Sequence, residues 1–475
     1  LTAEAGELRT RLRALLGADG LLTEPADVAP YLSDHRRLYQ GAALAVARPG
    51  SVDEVSRVLA LCNANRIGVV PHGGNTSYCG GAAPDESGQQ LVLALSRLNR
   101  IRSVDVDNDS LTAEAGCTLA RVQAAAAEAE RFFPLSLGSE GTCQLGGNLS
   151  TNAGGTSVLR YGMARDLTLG LEVVLADGRI LDGLSVLRKD NTGYDLKSLF
   201  LGAEGTLGVI TAASVKLFPM IRSRASAFIA VADVRAAGAL LARMRRASSD
   251  RVSSFELIPR SALELVLRHI PNSTDPLDKA YPWYVLCELT GSGATDGLDA
   301  LLEQSLAAAL ADGAILDAAV AGSGRQQDAF WGIRGSIPEA QRREGASIKH
   351  DIALPVGRLA DFMDLAVAWV SANVPEGRLV AYGHAGDGNL HFNISPATPA
   401  AGTTLLARTD AVRRAIHDLV QQFGGSFSAE HGIGRLKVGE LERYTSRVEL
   451  SLMQAIKGAL DPNHIMNPGK VLRQP

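Results

Sequence analysis

Cysteine is scarce in this chain. Only five of its 475 residues are cysteine (Cys62, Cys79, Cys117, Cys143, Cys287), and no two lie close in sequence. That spacing excludes a thiolate metal site and a disulfide framework, and it predicts a reducing compartment, taken here as cytoplasmic. Cys79 and Cys143 sit in glycine-rich loops with no adjacent His or Lys to lower their pKa, so both read as small packed residues rather than nucleophiles. No apolar run reaches the roughly 20 residues that a membrane-spanning helix needs. The opening stretch, LTAEAGELRTRLRALLG, has the charges of an amphipathic helix and lacks the apolar centre of a signal peptide. Its arginines would suit a transit peptide, against which Glu4 and Glu7 count. Net charge is −4 with no Lys/Arg stripe, which argues against a nucleic-acid partner. Two phosphate-binding patterns are missing as well: GxGxxG after a strand, and GxxxxGK[ST].

Glycine, by contrast, is abundant at 49 residues, which suits tight turns and close backbone approaches. At 475 residues two or three domains are expected. Ser51 and Glu54 form a capping box that starts a helix, Val69-Val70 reads as a short buried strand, and a glycine loop follows from Pro71 to Gly81. Strands are predicted at 91–95, 101–106 and 110–115, a helix from Thr118 to about Glu130, and an Asp-Gly hairpin over 171–181. Residues 136–162 are almost all small and match no regular element. Their interspersed Cys, Leu, Asn and Arg-Tyr fit a loop wrapped on a ligand better than a linker. A third glycine loop covers 202–208. Successive glycines let backbone N–H groups point into one concavity, so three such loops suit an extended dinucleotide, although each taken singly could be turn chemistry. After Pro219 glycine clusters disappear, and strands (226–232, 283–289) mix with amphipathic helices (233–248, 296–312). This second half reads as an α+β domain with antiparallel strands.

The C-terminal third holds AYGHAGDGNLHFN (381–393) and SAEHGIG (428–434). A two-residue Asp387-Gly388 turn would set His384 across from His391. With Glu430 they would form a His₂Glu set open to substrate, which suits a catalytic metal. Paired histidines in a hairpin also occur as ordinary hydrogen-bonded polar residues, so both readings stand. Only nine histidines are present, and four of them (His350, His384, His391, His431) occupy Gly- or charge-rich segments.

PHGGNTSYCGG, GTCQLGGNLSTNAGGTSVLRYG, LRKDNTGYDLKSLFLGAEGTLGVITAASVKLFP, GHAGDGNLHFN, AEHGIG and DPNHIMNPGK together resemble the FAD-dependent D-2-hydroxyacid dehydrogenases of the vanillyl-alcohol-oxidase-like superfamily. Within that group the likeness is to the D-2-hydroxyglutarate dehydrogenases, over nearly the whole chain. The resemblance implies an α+β fold: an FAD-binding domain of the vanillyl-alcohol-oxidase type over 1–219, an α+β cap domain over 220–427, and a C-terminal segment, 428–475, that completes the site. FAD would lie on Pro71, Gly73, Gly74, Asn75, Thr76 and Ser77. Gly138, Ser139, Thr142, Gly146, Gly147, Asn152 and Gly155, then Gly205, Thr206, Gly208 and Val209, with Asn467, would enclose the rest. Some relatives tether the flavin through a His after the paired glycines; here that neighbourhood is Asn75-Thr76, so the expectation is non-covalent FAD.

By the same resemblance a divalent metal, zinc above all, lies on the substrate side held by His384, His391 and Glu430. His431 is the candidate general base, with a supporting role beside the metal ligands as its alternative. Asn393 contacts substrate, and Arg334 and Lys349 take the distal carboxylate of 2-hydroxyglutarate. Pro338 stands where some relatives have a substrate-contacting Thr, which leaves the choice between 2-hydroxyglutarate and malate open. The implied electron acceptor is an electron-transferring flavoprotein or a quinone, and relatives are often dimers. Rivals are a D-lactate or other D-2-hydroxyacid dehydrogenase, a metal-dependent hydrolase, and a flavoprotein subunit that only relays electrons.

Overall fold

The computed structural model describes residues 3–294 and 296–474. Leu1 and Thr2 of the expected N-terminal helix lie outside the described residues; the helix itself runs Ala3–Leu16. The chain divides into two compact units. The first comprises Leu1–Gly155, Gly162–Met220 and Glu430–Pro475, the second Thr156–Tyr161 and Ile221–Ala429.

The first unit is built on two sheets. β1 (Leu21–Leu22), β2 (Ala45–Ala47), β3 (Val69–His72) and β4 (Leu91–Ala94) form one, in the order β1-β2-β4-β3. β2, β4 and β3 run parallel; β2 and β4 are apolar runs buried on both faces, as are Val69 and Val70 of β3. The helix Val52–Ala64 makes the crossover from β2 to β3. Its N-cap Ser51 accepts from the Glu54 N–H, while the Glu54 carboxylate accepts from Gly50 N–H rather than from Ser51. β5 (Ile101–Asp105), β6 (Ser110–Glu114), β8 (Thr168–Val174), β9 (Ile180–Gly183) and β10 (Val209–Lys216) form the other, antiparallel, in the order β5-β6-β10-β8-β9. β7 (Arg131–Phe132) and β11 (Phe218–Pro219) make a separate pair. Residues 136–162 are not wholly irregular: short helices form at Leu145–Ser150 and Val158–Tyr161. The C-terminal segment is stitched to the first sheet, where Met466 bridges Val69 and Lys457 Nζ donates to the carbonyls of Thr206 and Met466.

The second unit centres on one antiparallel sheet of β12 (Ser223–Val231), β13 (Val252–Pro259), β14 (Trp283–Gly291), β15 (Asp317–Val320), β16 (Asp351–Ala353), β17 (Gly377–His384) and β18 (Asn389–Pro396). The order is β15-β12-β14-β13-β17-β18-β16. Side chains alternate between faces, so odd residues of β13 and even residues of β18 (Phe255, Leu257, Phe392, Ile394) join one apolar core, beside the helices Val234–Ala247 and Leu359–Asn373. Ile258, Val380 and Tyr382 join another with the helices Arg260–His269 and Gly324–Glu344. Each fully buried Leu, Ile or Phe there contributes roughly 1.5–3 kcal/mol.

The hairpin between β17 and β18 departs from its predicted register. Tyr382, not His384, is the partner of His391, and the loop spans 385–388 rather than two residues. The cause is local. Gly386 N–H donates to Phe255 O of β13, and a Cβ on Gly386 would run into Leu159 and Phe255, so the chain leaves β18 two residues early. Gly388, with φ +87°, closes the loop against the Leu354 carbonyl, where any Cβ would collide.

Candidate active site

In the first unit the three glycine loops meet. A Cβ on Gly74 would run into the Thr142 carbonyl, and one on Gly73 would reach Gln144 at 3.6 Å and Gly147 at 3.7 Å, so loop 73–81 lies directly on loop 138–155. The third loop is bonded to the second through Gly202 N–H to Leu149 O and Glu204 N–H to Ser150 O. Gly205 packs on Pro71, whose Cγ would be 2.9 Å from an added Cβ. Asn467, buried, donates from Nδ2 to the carbonyls of Gly81 and Glu204 and so fastens the C-terminal segment to the first and third loops. Asn75, Asn152, Glu204 and Asn467 all hold positive φ (51°, 49°, 52° and 42°), a clustering of uncommon backbone that is typical of ligand sites.

Two observations test whether this assembly suits FAD. Among the described residues, no carbonyl or side chain accepts from the N–H groups of Gly73, Gly74, Asn75, Thr76 or Ser77, which leaves a run of donors for a pyrophosphate. A Cβ at Gly138, Gly141 or Gly147 would meet nothing within 4 Å, so protein packing is not what demands glycine there. The residues fit the group. His72 is buried edge-on to Tyr31, and burial pushes its imidazole down to about 4, offset only in part by a contact with the Gly73 backbone. It is a neutral core residue. Ser139, Thr206, Gly208 and Val209 also fall on these loops or at the start of β10, and Gly146 packs on Ala115. Cys79 and Cys143 are buried and unpaired with any other cysteine; Cys79 Sγ donates to Gly432 O.

Glu430 and His431 belong to the first unit. Glu430 Oε1 accepts from Gly155 N–H at 2.6 Å, tying it to the end of the second loop. Gly155 has φ +103° and abuts the Ser136 carbonyl, a position closed to any side chain. The His431 ring lies on Tyr78, with centroids 4.6 Å apart and planes tilted by 32°.

The second unit gathers the remaining predicted residues on one face of its sheet. His391 and Asn393 alternate along β18, opposite Tyr382 and Val380 of β17, and His384 follows Tyr382 on the same parity. Asp351 pairs with His391, so Lys349, two residues earlier, falls opposite Asn393. The His384 and His391 rings stand edge to face, 5.5 Å between centroids. Arg334 reaches the same face from the helix Gly324–Glu344. Its guanidinium covers the Tyr382 ring at 4.9 Å, and its Nε donates to Glu256 at 2.7 Å. Pro338 lies one turn further along that helix, exposed; its ring cannot donate an N–H to the Arg334 carbonyl.

Glu256 escaped the sequence reading. It is 1% exposed, in register with His384, and accepts from His384 Nδ1 at 2.8 Å as well as from Arg334. Burial alone would raise its carboxyl; the charges and hydrogen bonds of His384 and Arg334 outweigh that and bring it down to about 2. Asp351 Oδ1 stands 3.9 Å from His391 Nδ1, so each histidine has a buried carboxylate beside it. Gln341, fully buried, accepts from Asn393 Nδ2 at 3.0 Å and links β18 to the Arg334 helix. The available signal was a charged or amide residue inside an otherwise apolar segment, as in VSSFELIP.

Comparison with known proteins agrees with this anatomy. A family model described as the C-terminal domain of FAD linked oxidases matches residues 221–471, and an FAD binding domain matches 43–183. A protein of Oryza sativa subsp. indica named probable D-2-hydroxyglutarate dehydrogenase, mitochondrial, is 38% identical over 97% of this chain and 81% of its own length. The chain belongs to the D-2-hydroxyglutarate dehydrogenase family of FAD-linked oxidases. A family member from Xanthomonas citri pv. viticola, named D-2-hydroxyglutarate dehydrogenase, is 34% identical over 95% of this chain and 94% of its own. The vanillyl-alcohol-oxidase-type fold is shared with p-cresol methylhydroxylase, at TM-score 0.77 and 18% identity, over 100% of this chain and 98% of the other. The cytoplasmic expectation gains no support, since several relatives carry "mitochondrial" in their names. No helix among the described residues is long and apolar enough to cross a membrane.

Proposed function

We propose that this chain oxidises D-2-hydroxyglutarate to 2-oxoglutarate, with FAD bound non-covalently on the loops of the first unit. The observation that carries the reading is the polar sheet face of the second unit, where Lys349, two histidines and Asn393 share one face and Arg334 reaches it from the helix Gly324–Glu344. A dicarboxylate needs cations for its far carboxylate and donors for the hydroxy-acid end, and this face carries both. When bound, FAD would supply the hydride acceptor for the carbinol carbon. A divalent ion, zinc by the chemistry of a His₂Glu set, supplies Lewis acidity that lowers the pKa of the substrate hydroxyl.

His384 and His391 would hold that ion together with Glu430. Support for Glu430 comes from chain connectivity: Ala429 N–H donates to Asp351 O, Asp351 is the partner of His391, and Glu430 is the next residue. His431 takes the hydroxyl proton, its ring kept in place by Tyr78. Arg334 grips the distal carboxylate, Lys349 adds a second positive charge, and Asn393 orients the substrate. Pro338 offers no hydroxyl, so selection by chain length falls to Arg334 and Lys349, and D-malate is expected as a further substrate. Electrons then leave to an electron-transferring flavoprotein or a quinone, and the enzyme works as a homodimer.

The test is the visible spectrum of the purified flavoprotein under anaerobic conditions. D-2-hydroxyglutarate should bleach the flavin bands, the L-enantiomer should not, and prior EDTA treatment should abolish the response. Bleaching by D-lactate as readily as by D-2-hydroxyglutarate would overturn the substrate assignment; bleaching that survives metal removal would overturn the metal.

A further inference from the structure

Glu256 lies beneath both the proposed metal histidine and the proposed substrate arginine, and its contacts constrain each. A carboxylate only accepts hydrogen bonds, so the 2.8 Å contact calls for a proton on His384 Nδ1, and the neutral imidazole that a metal needs then carries its lone pair on Nε2. Its other oxygen takes Arg334 Nε at 2.7 Å, which orients the guanidinium plane across Tyr382. Glu256 is itself rigid: it is buried in β13, in register with His384 on one side and with Leu286 of β14 on the other. We infer that Glu256 is a positioning residue that couples the two halves of the site, setting the His384 tautomer for metal and the Arg334 edge for the distal carboxylate. This rests on the reading given under Proposed function.

The alternative is that Glu256 merely neutralises a buried arginine. The two roles separate when Arg334 is removed as well. Zinc affinity of the FAD-loaded protein is measured by chelator competition for wild type, His384→Ala, Glu256→Gln and the double variant Glu256→Gln/Arg334→Met, with flavin absorbance and melting temperature recorded for each. Loss of an outer carboxylate partner weakens metal binding by about 10–100-fold. The double variant, which leaves no unpaired buried cation, should melt near wild type, keep its FAD, and still show that loss. Wild-type zinc affinity in any folded variant lacking Glu256 overturns the inference while leaving the metal reading intact. Absence of zinc binding by wild type itself overturns both, and is recognised by His384→Ala changing nothing.

Discussion

Replacing Arg334 by Met separates substrate recognition from stability. Arg334 is 6% exposed and Glu256 1%, so the substitution strips a buried carboxylate of one of its two partners. Breaking a buried pair from one side costs about 3–5 kcal/mol, and His384, which stays, should hold the loss toward the lower figure. Denaturant unfolding measures that term directly. The catalytic term is different in kind. Charge-assisted hydrogen bonds to a carboxylate are worth about 1.5–3 kcal/mol each, so losing one should lower kcat/KM for D-2-hydroxyglutarate by about 10–100-fold. D-lactate has no second carboxylate and serves as an internal control for damage to the flavin or to folding. The quantity to read is therefore the ratio of kcat/KM for the two acids, which should collapse in Arg334→Met and recover only in part in Arg334→Lys, since Lys cannot address Glu256 and a carboxylate with one planar fork. An unchanged ratio in a variant that shows the stability loss would refute the assignment of Arg334 to the distal carboxylate and leave it a purely structural cation.

Three further outcomes are expected. Gly74→Ala should give protein with little bound flavin, read as the ratio of visible to ultraviolet absorbance, because a Cβ there collides with the Thr142 carbonyl and pushes two loops apart. His431→Ala should retain full flavin and zinc content yet reduce its flavin with D-2-hydroxyglutarate about 10²–10⁴-fold more slowly, the usual contribution of a general base. Lys470 gives the pH dependence: burial lowers its ammonium to about 8 from an ordinary 10.5, with Arg435 reinforcing the effect and Asp85 opposing it. Between those values the unfolded chain binds more protons than the folded one, so stability rises with pH across that window, by up to about 3 kcal/mol from this group. Lys470→Met should flatten that part of the profile in denaturant unfolding from pH 8 to 10; an identical slope in the variant would contradict it.

Elements with a local signature were legible in the sequence. Ser51 caps its helix as expected, β4 and β6 lie within the predicted strands, and the 171–181 hairpin forms between β8 and β9. The glycine loops were legible because their composition suits little else, and their convergence is explained by close approaches such as Gly74 to Thr142. Small helices at Leu145–Ser150 and Val158–Tyr161 were not: the first is Gly-, Ser- and Asn-rich with weak helical propensity, the second is only four residues long, and both turns are held by tertiary contacts, Gly146 on Ala115 in the first unit and the second helix against β13 in the other. The partners of Glu256 were illegible for a related reason. Nothing near it in sequence pairs with it; His384 is 128 residues away and Arg334 is 78.

The hairpin shows why a predicted face can survive a register that is wrong. The predicted pairing set His384 across from His391, whereas the structure sets Tyr382 there, a slip of two residues. Side chains change face every residue, so an even slip preserves every face while an odd one inverts them all. Even positions of β13 and β17 (Glu256, Tyr382, His384) and odd positions of β18 and its neighbour (His391, Asn393, Lys349, Asp351) therefore remain on one side, and Phe392 and Ile394 remain in the apolar core on the other. What the slip changes is geometry within the face. His384 and His391 become diagonal rather than opposite, and on its other side His384 stands in register with Glu256. The clamp on Gly386 by β13 ends β17 at His384, the residue that stands in register with Glu256 and donates to it.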